Sequence, residues 1–158
     1  MSILQGFKEN GWDLFVKFHP NQIDDQVKKF YEHYSDCENI RFVDKHDSIN
    51  DWINKVEIVI SEVSLAIFNS IAEGKPVMAL CSPLHYSMIK QHEKGIKIYQ
   101  NIEDMFSELS KIESDWYYYQ QWREETVIRQ DNYFRSYVQE GEDSIKEMAN
   151  ILKRECGL

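Results

Sequence analysis

The chain has 158 residues, 18 basic and 27 acidic side chains, a formal net charge of −9 and 42% hydrophobic residues. This length suits one compact domain, and the hydrophobic fraction is sufficient for a packed core. The negative charge argues against nucleic acid as a partner, and no stretch reaches the ~20 apolar residues that span a bilayer. Three widely separated cysteines fit neither a disulfide framework nor a zinc site, so we expect a reducing, cytoplasmic compartment and no metal or other cofactor.

Residues 1–100 alternate between strand and helix patterns. Apolar runs and turn residues predict strands at 12–18, 39–43, 57–61, 76–80 and 95–99. The segments between them predict an opening helix that ends at Asn10-Gly11, and helices over 27–34, 48–53 and 64–73. This alternation indicates βαβ units, and hence an α/β, Rossmann-like parallel sheet flanked by helices on both faces.

Residues 101–158 form the helical part of the same single domain. Asn101 is expected to cap a helix that runs through Leu109. The segment 116–137 is aromatic-rich without a clean period, and we interpret its aromatic block, Trp116-Tyr-Tyr-Tyr119 with Trp122, as core or domain-interface packing. A sugar-stacking platform and a membrane-edge patch are the alternatives, and exposure of this block would promote a homodimer. Ser144-x-x-Glu147 has the pattern of a capping box and predicts a separate last helix.

Polar residues follow two of the predicted strands, where parallel sheets bind ligands. Lys17-Phe-His-Pro-Asn21 follows the first strand, and Ser61-Glu-Val-Ser64 follows the third and directly precedes a helix. A serine at a helix N-terminus is suited to an anion such as phosphate, and His19 can donate an imidazole N–H to the same group. Each residue alone also fits a turn, a helix cap or a solvated cation. The combination favours a phosphate site.

These segments resemble a known family. Phe15-Val-Lys-Phe-His-Pro20, Ile58-Val-Ile-Ser-Glu-Val-Ser-Leu-Ala-Ile-Phe-Asn69 and Gly74-Lys-Pro-Val77 look like the carboxy-terminal half of GT-B glycosyltransferases. The nearest likeness is to CDP-glycerol glycerophosphotransferase-like and capsular polysaccharide transferases with an HP motif. The resemblance implies that the chain is one half of a GT-B fold, and that a nucleotide-activated sugar or polyol donor, a glycan acceptor and an amino-terminal domain are its partners.

The resemblance also implies roles for individual residues. His19 is implied to be catalytic through contact with the donor phosphate. The implied donor-binding residues are Lys17, His19, Pro20, Asn21, Glu62, Val63, Ser64 and Asn69. The full protein is implied to work in bacterial surface polysaccharide biosynthesis, in the cytoplasm at the inner face of the membrane, whereas the isolated half turns over little or nothing. A non-catalytic interaction module and a sugar-nucleotide epimerase-like domain are the alternatives.

Overall fold

A computed structural model describes residues 3–62 and 64–156, and it confirms the α/β class. The helices are α1 (Ile3–Asn10), α2 (Asp24–Tyr34), α3 (Ile49–Ile53), α4 (Leu65–Ala72), α5 (Tyr86–Ile89), α6 (Ile102–Ser114) and α7 (Trp116–Cys156), with a 3-10 turn at Lys90–Lys94. The strands are β1 (Leu14–Lys17), β2 (Ile40–Val43), β3 (Val59–Ser61), β4 (Val77–Leu80) and β5 (Lys97–Tyr99). Within these residues, no helix combines the length and apolar character that crossing a membrane requires.

The predicted helix ends are set by local chemistry. Gly11 and Gly74 follow α1 and α4 with φ angles of +67° and +69°, a left-handed conformation that glycine adopts without a steric penalty. The Asn101 side chain accepts a hydrogen bond from the Asp104 N–H and caps α6. Each of these three predicted boundaries is confirmed.

The strands form two parallel sheets, where the sequence indicated one. β1 pairs with β2, and β4 lies between β3 and β5 in a second sheet. β1 and β3 do not pair with each other; they flank a cavity that also has aromatic walls. The division opens a space at the point where a continuous sheet would be closed.

α7 is one continuous helix of 41 residues, so the predicted break at Ser144 is wrong. The Ser144 hydroxyl donates to the Glu140 carbonyl at 2.8 Å, a bond made within a helix rather than at its start. The aromatic block at its beginning divides in two, because Tyr119 and Trp122 are buried whereas Trp116 and Tyr117 are exposed. The packing interpretation is therefore confirmed only for the buried pair.

A buried glutamine fastens α7 to the central strand of the larger sheet. Gln130 is 1% exposed; its Oε1 accepts from the Val77 N–H at 3.1 Å and its Nε2 donates to the Val77 carbonyl at 2.8 Å. Val77 stands at the start of β4, one position before the residue that pairs with the first residue of β5. The amide therefore supplies the hydrogen bonds that a longer β5 would have made.

We predict that Gln130→Leu destabilises the fold strongly, because it leaves the N–H and carbonyl of Val77 buried without partners. Each such group costs about 1–3 kcal/mol, so the loss should be roughly 2–6 kcal/mol in urea denaturation. Gln120→Leu, at an exposed position of the same helix, is the control and should change stability by about 0.5 kcal/mol or less. Equal effects of the two variants would contradict the role of Gln130.

His92 is the one buried member of the five histidines. Its Nδ1 lies 2.7 Å from the Tyr133 hydroxyl, and the rings of Phe68 and Tyr137 pack against it. Burial lowers the pKa of His92 below its ordinary value. The neutral ring is therefore the form that the folded chain prefers, and the contact joins the 3-10 turn to α7.

Because the pKa of His92 is lower in the folded than in the unfolded chain, its contribution to stability is complete above about pH 6.5 and is lost as the pH falls below that value. The free energy of unfolding should fall by at most about 1.4 kcal/mol per pH unit from this source. His92→Gln keeps a hydrogen-bonding group without the titration, so its stability should vary less between pH 7.5 and 5.5. If the free energy of unfolding changes equally with pH in the two proteins, His92 does not have this role.

Candidate functional site

A cavity of about 810 Å³ lies between β1 and β3. Its walls come from both strands and from helices α3, α6 and α7, and they are mainly apolar. Six aromatic side chains line it: Phe7, Trp12, Phe15, Trp52, Trp116 and Tyr119. The volume falls within the range of small-molecule sites, which are typically apolar with a few polar groups at fixed positions.

Backbone N–H and C=O groups of β1 and β3 can form hydrogen bonds to a ligand in this cavity. The Leu14 N–H donates to the Asn39 carbonyl at 2.8 Å, and the Val59 N–H donates to the Pro76 carbonyl at 3.0 Å. Since backbone groups along a central strand bond alternately to its two neighbours, those of Phe15 and Ile60 are directed away from β2 and β4. The facing edges of β1 and β3 can therefore bond the polar edge of a flat ligand.

The cavity wall also has fixed side chains. The Trp52 indole N–H donates to Asp47 at 3.1 Å, the ammonium group of Lys55 lies 4.0 Å from the Trp52 ring centroid, and the Phe15 ring centroid lies 5.4 Å from it. Tyr119 donates its hydroxyl to Glu57 at 2.9 Å, and burial followed by this bond raises the pKa of Tyr119. These contacts hold the aromatic faces in position before any ligand arrives.

The carboxyl ends of β1 and β3 both reach the cavity. Lys17 is the last residue of β1 and Ser61 the last of β3, and each contributes to the wall. Lys17 and Lys45 form a linked pair that we call the brace. The Lys17 ammonium donates to the Lys45 carbonyl at 2.7 Å. The Lys45 ammonium in turn donates to the Gln22 carbonyl at 3.2 Å and forms a salt bridge with Asp24.

The sequence analysis missed Lys45, although the signal was present. Lys45 follows β2 in Asp44-Lys-His-Asp47, and the strand-end argument that selected Lys17 applies equally there. Its hydrogen bond and charge lower the pKa of Asp24. The two lysines together join the loop after β1 to the loop after β2.

His19 is exposed in the loop after β1, and its ring is oriented by the main chain. The Asn21 N–H donates to Nδ1 of His19 at 3.1 Å. In the neutral ring Nδ1 must then be the acceptor, so the proton lies on Nε2. Nε2–H is thus available to donate to a bound anion. Asn21 contacts His19 through its backbone N–H. Pro20 is an exposed turn residue beside it.

Ser64 precedes α4 but does not cap it with its side chain. Its hydroxyl lies 3.3 Å from that of Ser61, and the Ser61 hydroxyl also contacts the Glu62 carbonyl at 2.7 Å. Ser64, Glu62 and Asn69 are exposed, and Val63 lies outside the described residues. The first N–H groups of α4 therefore have no capping side chain from Ser64, which leaves its positive end open to a ligand.

Of the sequence-predicted residues, Lys17 is the one that lines the cavity; His19, Pro20, Asn21, Glu62, Ser64 and Asn69 are not part of its walls. Among the described residues no group of three or more His, Cys, Asp or Glu side chains could hold a metal ion. Comparison with protein-family models, curated proteins and solved structures finds nothing that matches this chain. Function is therefore inferred from the residues themselves.

We predict that Lys45→Met loosens the loop that carries His19, because it removes the bonds to the Gln22 carbonyl and to Asp24. Hydrogen exchange of the amides in residues 19–24 should accelerate, whereas exchange in β4 stays unchanged. Lys28→Met is the matched control, since Lys28 is largely exposed and its ion pair is a surface pair with Glu32. Unchanged exchange in Lys45→Met would show that the brace does not hold this loop.

Proposed function

We propose that the chain is the nucleotide-donor-binding half of a GT-B glycosyltransferase or glycerophosphotransferase of surface polysaccharide synthesis. The observation that carries the proposal is the meeting of the carboxyl ends of β1 and β3 at one aromatic cavity. The phosphate-binding candidates His19 and Ser64 follow these two strand ends by two and three residues. In an open α/β fold this is where ligands bind.

The cavity suits the nucleoside part of such a donor. Aromatic faces such as that of Trp52 stack on a base, a contact worth about 1–3 kcal/mol per base. The backbone groups of Phe15 and Ile60, which are directed away from β2 and β4, can bond the base edge. With the base held there, the phosphates extend past Lys17 and Ser61 towards His19 and the start of α4.

The proposed chemistry is loss of the nucleotide phosphate as a leaving group. Negative charge that develops on the phosphate oxygens is stabilised by the Nε2–H of His19 and by the N-terminus of α4. Both donors are fixed in advance, the imidazole by the Asn21 N–H and the helix by its own backbone. The general base and the acceptor would be supplied by the amino-terminal domain, with the completed enzyme acting at the inner membrane face.

Apolar side chains near the strand ends support a covering domain. Ile23, Leu65 and Leu84 are 62%, 79% and 86% exposed, and they lie in the segments after β1, β3 and β4. Isolated apolar residues are common on surfaces, but three that follow the ends of β1, β3 and β4 form one candidate interface. The same feature favours the second candidate function, an interaction module that has kept the fold without the chemistry.

We predict that His19→Ala weakens the binding of CDP or UDP to this chain at least tenfold in calorimetric titration. A hydrogen bond to a charged group is worth about 1.5–3 kcal/mol, and about 1.4 kcal/mol is tenfold in affinity. His33→Ala, at an exposed position on α2, is the matched control and should bind like the original chain. Equal affinities of the original chain and His19→Ala would remove His19 from the site.

The same titration separates the two candidate functions. Trp12, Trp52 and Trp116 line the cavity, so a nucleotide that enters it should change tryptophan emission, whereas inorganic phosphate should not. A folded chain that gives neither heat nor a fluorescence change with CMP, CDP, UMP or UDP would favour the interaction module.

A further inference from the structure

The backbone of β1 directs every second residue into the cavity. In a parallel sheet, a residue bonds one neighbouring strand with both its N–H and its C=O, and the next residue bonds the strand on the other side. The Leu14 N–H donates to the Asn39 carbonyl, so Leu14 bonds towards β2. The backbone groups of Phe15 therefore face the cavity, and those of Lys17, two residues further on, face it as well.

β3 presents the opposite edge of the same cavity. The Val59 N–H donates to the Pro76 carbonyl, so Val59 bonds towards β4. Its neighbours Ile58 and Ile60 therefore direct their backbone groups towards β1. Among the described residues, no backbone hydrogen bond joins β1 to β3. Two parallel edges thus face each other, and their polar groups need a ligand, water or the other strand as a partner.

One register satisfies both edges. With Phe15 opposite Val59, the Phe15 N–H donates to the Ile58 carbonyl, and the Phe15 carbonyl accepts from the Ile60 N–H. A shift of one residue would place Phe15 beside groups that already bond β4. The hydrogen-bonding groups of the two edges are therefore complementary in this register.

The same register aligns the ends of the two strands. It places Lys17 opposite Ser61, and these are the last residues of β1 and β3. The Lys17 N–H then donates to the Ile60 carbonyl. The register that matches the backbone groups is thus also the one in which both strands end at the same level.

The two strands already share an apolar surface. Leu14 of β1 and Ile58 and Ile60 of β3 pack against one buried cluster, which includes Phe106 and Tyr119. β1 can therefore approach β3 along this cluster without exposing apolar side chains to water.

We propose that the chain has a closed state, in which β1 and β3 pair in this register and all five strands form one parallel sheet in the order β2-β1-β3-β4-β5. The structure described above is the open state. The closed state predominates without a ligand, and a ligand holds the cavity open by bonding the backbone groups of Phe15 and Ile60. The strand pairing is independent of the ligand's identity, whereas its effect on nucleotide rests on the proposed function. The measured affinity falls in proportion to the fraction of chains that are open.

Scalar couplings across hydrogen bonds test the closed state in the isotope-labelled original chain. Without a ligand, nuclear magnetic resonance should detect a coupling from the Ile60 amide nitrogen to the Phe15 carbonyl carbon. The coupling from the Val59 nitrogen to the Pro76 carbonyl carbon is the internal control, because that bond is present in the open state as well. A spectrum of the ligand-free chain that contains the control coupling alone would overturn the proposal.

A disulfide tests whether closure reaches the predicted register. Val16 would lie opposite Ile60, on the same face of the sheet, with Cα atoms about 4.8 Å apart. A disulfide spans roughly 4.4–6.8 Å, so oxidation of the double variant Val16→Cys/Ile60→Cys should give an intramolecular link, mapped by peptide mass spectrometry. Val16→Cys/Val59→Cys is the matched control, since Val59 points to the other face. No link in the first variant, or equal linking in both, would contradict this register.

The linked chain also tests the effect on the cavity. Val16→Cys/Ile60→Cys should bind CDP at least tenfold more weakly when oxidised than when reduced, and the reduced form carries the same substitutions. Equal affinities of the two forms would show that strand pairing does not close the cavity. If neither form nor the original chain binds CDP, the nucleotide proposal fails, and the couplings alone decide whether the closed state exists.

Discussion

The attachment of α7 to β4 is the contact on which the positions of the other elements depend. Gln130 satisfies both backbone groups of Val77 from a fully buried position. Nearby, the helix approaches so closely that a Cβ added to Gly95 would lie 2.1 Å from the Cβ of Tyr133. A polar bond and a close steric fit thus fix one long helix against the larger sheet. Together they set where the first turns of α7 lie, and those turns form part of the cavity wall.

The cavity follows from this arrangement and from the division of the sheet. Leu109 of α6 and Tyr119 of α7 belong to a buried apolar cluster that also contains Met78 of β4 and Met105 of α6. Both residues also line the cavity. The same packing that stabilises the domain therefore closes one side of the space between β1 and β3. The opposite side is provided by Trp52, which Asp47 and Lys55 hold in place. A ligand here would meet Trp52 and Tyr119, which hydrogen bonds to Asp47 and Glu57 already orient. Side chains oriented in advance reduce the entropy lost on binding.

The sequence predicted most elements of the first hundred residues because their signals are local, but it missed α5 and the 3-10 turn at Lys90–Lys94. Alternating apolar runs, Gly11, Gly74 and the Asn101 cap each act within a few residues of where they stand. α7 was harder to predict from the sequence, for a physical reason. Its buried face includes Thr126 and Gln130, both polar, so the helical period of apolar residues is interrupted where the helix is most firmly held. The apparent capping box at Ser144 then suggested a break that the backbone does not make.

For the candidate site, the sequence correctly placed Lys17 and Ser61 at strand ends. It could not predict the cavity that both residues line. The sequence analysis also missed Lys45, because its partners Gln22 and Asp24 lie 23 and 21 residues away in the chain. The GT-B assignment remains a proposal, supported by the arrangement of strand ends, aromatic walls and an oriented imidazole.

The sequence by itself determined the order and type of most elements, the glycine-ended helices and the polar strand ends. Each of these depends on neighbours along the chain. The tertiary structure alone decided the division into two sheets, the cavity at that division, the brace between Lys17 and Lys45, and the link from Gln130 to Val77. These depend on residues far apart in sequence, and which of them meet is settled only by the packing of the whole domain.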